Sequence, residues 1–520
     1  ARLVLEELDL AAFEPAVALV APLTGLAGRA GGTLELALGE GLALEGTSDL
    51  AVRALELVGP LSGGEPTRIA EIKLVGNATQ QGEGAGTQRF ELAAEDFLAL
   101  TYSGSSNVPA TGAGSLAGEL TLKGDLARLA EIVRAWVPLQ AGVEVQGRLE
   151  QRLELGASFT DRAPTAATLT LGGGLTALAA RDAGGRRLDL SNLAEVTLAL
   201  EAEADLVAGT LRAPRLALAA GPLAFEGHCT ARGVGLAFDP AALALEDGAF
   251  RLTADLEALR STLAQLVPLE EGAFGGRLSA NGTCAGSSAS GFELGLELEA
   301  QALAFGGSRL ARCDGSFRAR RGGDGAVAGT GTLTLGASSL ALTEGALALP
   351  GAKLTLELAE DARGAGQHAL SFASDDGALA LRLRAEGQRQ GTDLTLSSAL
   401  ELEGDVAALA ALAAPFVAAQ PGLAGHLGGK GQLEFALRAG APERAALALE
   451  LGLSNLRAND AQGQPLPLEA LAETKFGLSA SLDVAAQRAE LTRLALSAGG
   501  LELSGHCALA GLALDGPLDL

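Results

Sequence analysis

Alternation with period two runs through most of this chain. Thr33-Leu34-Glu35-Leu36-Ala37-Leu38, Thr332-Leu333-Thr334-Leu335 and Lys353-Leu354-Thr355-Leu356-Glu357-Leu358 place Leu at every second position, with Thr, Glu, Lys or Ala between. Successive side chains of a strand point to opposite faces, so each run makes one apolar and one polar face. Gly322-Gly323-Asp324-Gly325, Ser374-Asp375-Asp376-Gly377 and Asn459-Asp460 interrupt the alternation at irregular intervals and read as hairpin or loop signals. An apolar face of this extent must be covered, by barrel closure, by a second sheet, or by curling into a trough. Aromatic residues are 3% of 520, and Leu and Ala alone fill a thick sandwich core poorly. The expected fold is therefore all-β. It is a long, curved, mainly antiparallel sheet forming an elongated groove (a β-taco), of roughly 35 strands at ~4.8 Å each. Leu34, Leu36, Leu38, Leu333, Leu335, Leu354, Leu356 and Leu358 are the candidate groove lining.

An internal repeat punctuates the strands. Asp9, Asp125, Asp255 and Asp405 each open an amphipathic segment. Apolar residues follow at offsets one, four, eight and eleven, as in Leu126, Leu129, Val133 and Trp136, which trace one helical stripe. The Asp suits an N-cap, and Pro22, Pro138 and Pro268 suit a helix stop. Short helices are expected near 9–22, 125–138, 255–268 and 405–419. They divide one continuous elongated domain into groove units at 1–120, 121–250, 251–400 and 401–520. Trp136 reads as a core residue docking its helix on the sheet.

Composition removes several function classes. There are 38 Lys+Arg against 63 Asp+Glu, a net charge of −25, and no long basic run, so nucleic acid is not an expected partner. One Trp and one Tyr leave no aromatic platforms for a sugar hydrolase. No Walker, Rossmann, GxSxG or HExxH pattern stands in a usable context. Acidic pairs such as Glu270-Glu271 and Asp375-Asp376 read as solvated surface. We expect neither enzyme activity nor a cofactor. Gly227-His228-Cys229 and Gly505-His506-Cys507 hold zinc-ligand types, but neighbours on a strand face opposite ways, so repeated strand sequence is the better reading. The four Cys have no metal or disulfide-framework spacing and are expected as free thiols. The uncharged stretch Val406–Gly429 is broken by Pro415, Gln420, Pro421 and His426, too soon to span ~30 Å of hydrocarbon. Met is absent, from which we expect a longer parent protein with targeting or anchoring segments at its ends.

The order strand, Gly-Asp-Leu, amphipathic helix, apolar-Pro-Leu, Gly-x-Leu strand resembles the AsmA-like and TamB-like proteins of Gram-negative envelopes. Leu122-Lys123-Gly124-Asp125-Leu126 through Val137-Pro138-Leu139, then Gly147-Arg148-Leu149, carry the resemblance. The copies at Asp9 and Asp255 have Leu8 and Ala254 in place of the Gly. The resemblance implies a repeating β-groove protein of the periplasm, held to the inner membrane by an N-terminal anchor that this sequence lacks. It implies phospholipids as cargo, moved between inner and outer membrane, with an outer-membrane partner. The competing reading is a structural or adhesive surface protein, a β-solenoid stalk or passenger domain. An outer-membrane barrel downstream in the same gene would favour that reading.

Overall fold

The computed structural model describes residues 1–14, 23–39, 43–81, 84–234, 242–269, 273–287, 289–342, 345–413, 422–460, 462–468, 471, 473–484 and 486–510. Strand takes up 72% and helix 7%, so the class is all-β, as the alternation predicts. The described residues form 28 strands, fewer than expected, because many are long: Leu44–Val58, Glu144–Thr160 and Ala163–Arg181 run 15, 17 and 19 residues. They form an antiparallel open sheet and close into no barrel.

The chain divides into two units, Ala1–Gly275 and Gly276–Leu520. In the first, every strand from Arg2–Asp9 to Ala244–Asp255 pairs antiparallel with its predecessor in sequence. The second repeats this from Gly291–Phe305 to Leu501–Ala510. There is one departure. Val327–Leu335 pairs directly with Ala352–Glu360, and the short hairpin Ser338–Leu342/Gly345–Leu349 between them pairs instead with the start of Ser308–Gly322. The turn signals fall where the sequence places them: Gly322–Gly325 and Ser374–Gly377 join consecutive strands, and Asn459 pairs with Pro465 in a small loop.

The Asp residues cap as expected. Asp9 Oδ1 accepts from Ala11 N at 3.0 Å and opens a single 3-10 turn, Leu10–Phe13. Asp125 accepts from Ala127 N at 2.7 Å, Asp255 from Ala258 N at 2.9 Å and Asp405 from Ala408 N at 2.9 Å. These open α1 (Leu126–Val133), α2 (Leu256–Leu263) and α3 (Val406–Ala413). α1 and α2 are shorter than the Pro spacing suggested, and four residues separate the end of α1 from Pro138. The expected helical residues 15–22 and 414–419 lie outside the described residues. The stripe also differs. Leu129 and Ile132 pack on the cluster Leu55, Ile69, Ala94 and Phe97, whereas Val133 is exposed. Seven residues advance to within about 20° of two full turns, while eight overshoot by about 80°. Offset seven is therefore the inward position, and Thr262 occupies it, buried, in α2.

Glycine seats α1 and α3. A Cβ on Gly124 would stand 2.9 Å from Leu129 Cδ1, and one on Gly404 would stand 3.0 Å from Leu409 Cδ1. Each strand that follows a helix then carries a left-handed glycine: Gly28, Gly147, Gly276 and Gly425, at φ 147°, 151°, 100° and 159°. Against each lies a left-handed non-glycine residue of the next strand: Ala54, Ala177, Ala302 and Asn455, at φ 49°, 54°, 51° and 54°. The register slips by a residue at Gly28, Gly147 and Gly425. These paired bulges bend and twist the sheet beside every helix.

The repeat is of higher order than four equal copies. Gly147 and Gly425, Ala177 and Asn455, Asp182 and Asp460, and Gly227 and Gly505 all differ by 278 positions. Arg181-Asp182-Ala183-Gly184-Gly185 and Asn459-Asp460-Ala461-Gln462-Gly463 are the same loop in the two units. In the described members, Asp182 Oδ1 takes Gly184 N and Arg186 N, and Asp460 Oδ1 takes Gln462 N and Gln464 N. The chain thus contains two alternating kinds of module, and the second kind carries this loop.

Little of the apolar surface is buried. The accessible area is 31022 Å². One compact protein of this size would expose about 17,500 Å², and two separate compact halves about 21,000 Å². The buried hydrophobic residues are mostly Ala, and the larger ones gather near the helices.

Candidate functional site

Cross-strand partners share a face, so the register defines what that face presents. In unit 2, Leu333 pairs with Leu354, Leu354 with Phe372, Phe372 with Leu381 and Leu381 with Leu402. The row continues through Gly429, Leu451, Phe476, Leu496 and Leu503. A parallel row two residues away runs from Leu296 and Phe317 through Gly331, Leu356, Leu370 and Leu383. With Leu298 and Gly315 before Leu333, the first row crosses twelve strands, some 50 Å at about 4.8 Å each. Glycines of both rows are overlaid by neighbours: the Phe317 ring lies 3.1 Å from a Cβ position on Gly331, and Leu451 Cδ2 lies 2.6 Å from that of Gly429. Neither row carries a charge. Arg321, Glu360 and Arg389 reach this side only at strand ends, where Arg389 and Glu360 pair with each other.

Unit 1 is built alike. One row passes from Leu5 through Gly32, Leu50, Leu74, Leu92 and Leu100, then Leu122. Its neighbour contains Phe90, Tyr102, Leu120, Leu153, Leu171 and Leu200, with the Phe90 and Tyr102 rings stacked at 6.1 Å. Charge lies on the other face. Arg152 meets Glu119 at 2.9 Å, Arg53 meets Glu71 at 3.1 Å and, in unit 2, Arg493 meets Glu450 at 3.2 Å. Exposed pairs of this kind contribute little stability, about 0–1 kcal/mol each, but they mark the solvated side.

The eight Leu singled out from the sequence fall on these apolar faces as two separate groups. Leu333, Leu335, Leu354, Leu356 and Leu358 are half-buried neighbours in unit 2. Leu34, Leu36 and Leu38 lie in unit 1 opposite Ser48, Gly46 and Leu44, and are exposed, Leu38 to 72%. The strands carrying Phe372, Leu402, Leu451 and Phe476 were not singled out, although their alternation is equally regular. Near the end of unit 2 the face is dented: Leu433, Leu447, Ala480, Leu491, Cys507 and Leu509 are among the lining of a hollow of about 410 Å³.

Polar groups on these faces are few. Ser48 Oγ and His368 Nδ1 are buried without a hydrogen-bond partner. The His-Cys pairs divide between faces. His228 reaches Asp247 at 3.2 Å, while Cys229 lies in register with Ala213 and Gly248 on the apolar side. Among the described residues no group of three His, Cys, Asp or Glu is placed to hold a metal ion. All four Cys are free; only Cys313 is buried, and Cys507 is exposed. Burial, then the neighbouring Asp314 carboxylate, pushes the Cys313 thiol up from its ordinary range. No helix among the described residues is long and apolar enough to cross a membrane.

Comparison with family models, with curated proteins and with solved structures finds no match to this chain.

Proposed function

We propose that this chain is a lipid-transfer protein that carries phospholipid acyl chains along the apolar faces of its sheets, in the envelope of a Gram-negative cell. The observation that carries the reading is the pair of uncharged cross-strand rows in each unit, continuous over a dozen strands and covered by no second layer among the described residues. A soluble protein rarely leaves so much contiguous apolar surface open without a ligand for it. An acyl chain gains about 0.8 kcal/mol for each methylene it removes from water, and it needs no specific polar contact along its length. Flexible chains also suit a face of Leu, Gly and a few Phe better than a rigid ligand would. The periplasmic setting, the inner-membrane anchor and an outer-membrane partner belong to the same proposal and rest on the Gly-Asp-Leu-helix-Pro pattern.

The test is native mass spectrometry with lipid extraction on the protein purified from a Gram-negative host. Several phospholipids per chain are expected. The double variant Leu354→Asp/Leu356→Asp should lower the bound lipid at least severalfold while leaving the far-ultraviolet circular dichroism unchanged. A wild-type chain that is lipid-free and takes up no acyl probe would overturn the reading.

A further inference from the structure

The two ends of the strands differ. α1 in unit 1 and α3 in unit 2 stand at one end, where Leu129 and Leu409 lie over Gly124 and Gly404. The other end is bounded by short turns, in unit 2 at 323–326, 361–364 and 391–392. Toward these turns the apolar face changes character. Beside the Leu356 row, the next row passes from Ala319 and Gly329 through Leu358 to His368, Ala385 and Ser398. The row after it holds Arg321, Val327, Glu360, Gly366 and Gly387, and Arg389 follows two residues beyond Gly387.

Glycine makes room for the polar groups. A Cβ on Gly366 would stand 3.2 Å from His368 Nε2. Arg389 reaches across the end of Ala365–Ser374, and its Nε donates to Glu360 Oε1 at 2.8 Å. The Glu360 side chain is only 17% exposed, so this pair lies against the apolar side. Unit 1 shows the same drift with neutral groups. Toward its turns Gln88 Nε2 donates to Ser106 Oγ at 3.4 Å, and the Tyr102 hydroxyl overlies Gly104 and Gly118.

A face that is aliphatic at one end and polar at the other matches an amphiphile laid along the strands. From Glu360 back to Leu354 is about 20 Å, at roughly 3.3 Å per residue. That is half the ~40–45 Å thickness of a bilayer with its headgroups. One lipid therefore spans the face from its polar margin to the leucine rows. A guanidinium presents a planar fork that matches phosphate oxygens, and the bonds gain from the low dielectric beside leucine.

We propose that the turn-side margin of unit 2 is a headgroup site, in which Arg389 holds the phosphodiester of a glycerophospholipid whose acyl chains run along the strands toward Leu354 and Phe372. Glu360 positions Arg389 over Gly366, and Arg321, two strands from Glu360 in the same row, adds positive charge to the margin. The inference rests on the lipid-carrying reading above and gives the lipid a direction.

The test titrates the full chain with two probes that share one pyrene-labelled acyl chain, a phosphatidylglycerol and a diacylglycerol. The wild type should bind the phospholipid about tenfold or more tighter, the worth of one charge-assisted hydrogen bond. Excess inorganic phosphate should not displace it. The double variant Arg321→Gln/Arg389→Gln should lose this preference and keep its affinity for the diacylglycerol. A second arm needs no variant. Wild-type protein is photolabelled with phospholipids carrying a diazirine either at an acyl end or beside the headgroup. The acyl-end label is expected on Leu354, Phe372 and Leu381, and the headgroup label on Gly366, Gly387 and their neighbours. Equal affinity for the two probes, displacement by inorganic phosphate, or labels reversed or spread evenly along the strands would overturn the headgroup site and leave the lipid reading standing. A wild type that binds neither probe would overturn both.

Discussion

Gly32 lies in the apolar row of unit 1 between Leu5 and Leu50, at φ 141°, and a Cβ there would come 2.1 Å from Asp49 O. The obstacle is backbone and cannot swing aside. Gly32→Ala should destabilise the first hairpins of unit 1 by about 2–4 kcal/mol. The check is amide exchange, which should quicken in Gly25–Leu38 and Leu44–Val58 before the later strands. Thiol chemistry offers a second reading at this scale. Cys507 is exposed and Cys313 is buried with a raised pKa, so maleimide should modify Cys507 first and Cys313 last at pH 7. Peptide mapping over a time course gives the order, and the reverse order would contradict the difference in burial between these two thiols. In the turn Ser374–Gly377, the Ala378 N–H and then Ser374 hold the Asp376 carboxyl below its ordinary value. Its folded pKa is depressed, so its contribution is present above the unfolded value near 3.8 and is lost as the pH falls through the folded one. Carboxyl titration by NMR should place Asp376 among the last carboxylates to protonate. At this scale the sequence was a partial guide. The Leu faces follow from parity alone, but the left-handed Ala54, Ala177 and Ala302 carry no signal, since Ala is not a residue that seeks that conformation.

The helices show which parts of an element a sequence specifies. Their starts were legible because a carboxylate before an apolar stripe has one good use, and all four Asp side chains cap as read. Their ends were not. Pro138 and Pro268 stop the chain direction, yet the helix proper gives way five residues earlier to tighter turns, with Trp136 N bonded to Val133 O and Leu266 N to Leu263 O. Seating on the sheet decides the end, and a Pro only limits it. Two substitutions separate the cap from the seat. Asp125→Ala should cost about 1 kcal/mol, the usual loss of an N-cap. Leu129→Ala should cost more, about 2 kcal/mol, because it empties the space over Gly124 and loosens the cluster around Phe97. Urea unfolding followed through Trp136, the single Trp, measures both.

Across the whole molecule, alternation foretold the class and the two-sidedness of the sheet because strand parity survives from one partner to the next. The irregular spacing of turns hid the deeper period. The two Gly-His-Cys strands were its visible trace, and Asp182 and Asp460 complete it at the same separation. The net charge of −25 is carried largely on the solvated face. Self-repulsion there should be screened by salt, with a Debye length of about 8 Å at 0.15 M, so stability should rise modestly from low salt to that point. Thermal unfolding at a series of chloride concentrations would show it, and a flat series would mean the cross-strand ion pairs already neutralise the face.

Strand pairing with the immediate predecessor also has a consequence for how the chain reaches its fold. Each strand zips onto the one before it from the turn outward, so no strand pair closes a loop longer than some tens of residues, and the entropy of ring closure does not grow with the length of the chain. A growing chain can add one hairpin at a time to an edge that already exists, in the order of synthesis, without waiting for its far end. Stability is then a sum of local terms, as in other linear arrays, and a weak hairpin divides the array without dissolving it. Its newly bared edges would each present a row of unpaired amides and carbonyls, ready to accept a strand from elsewhere.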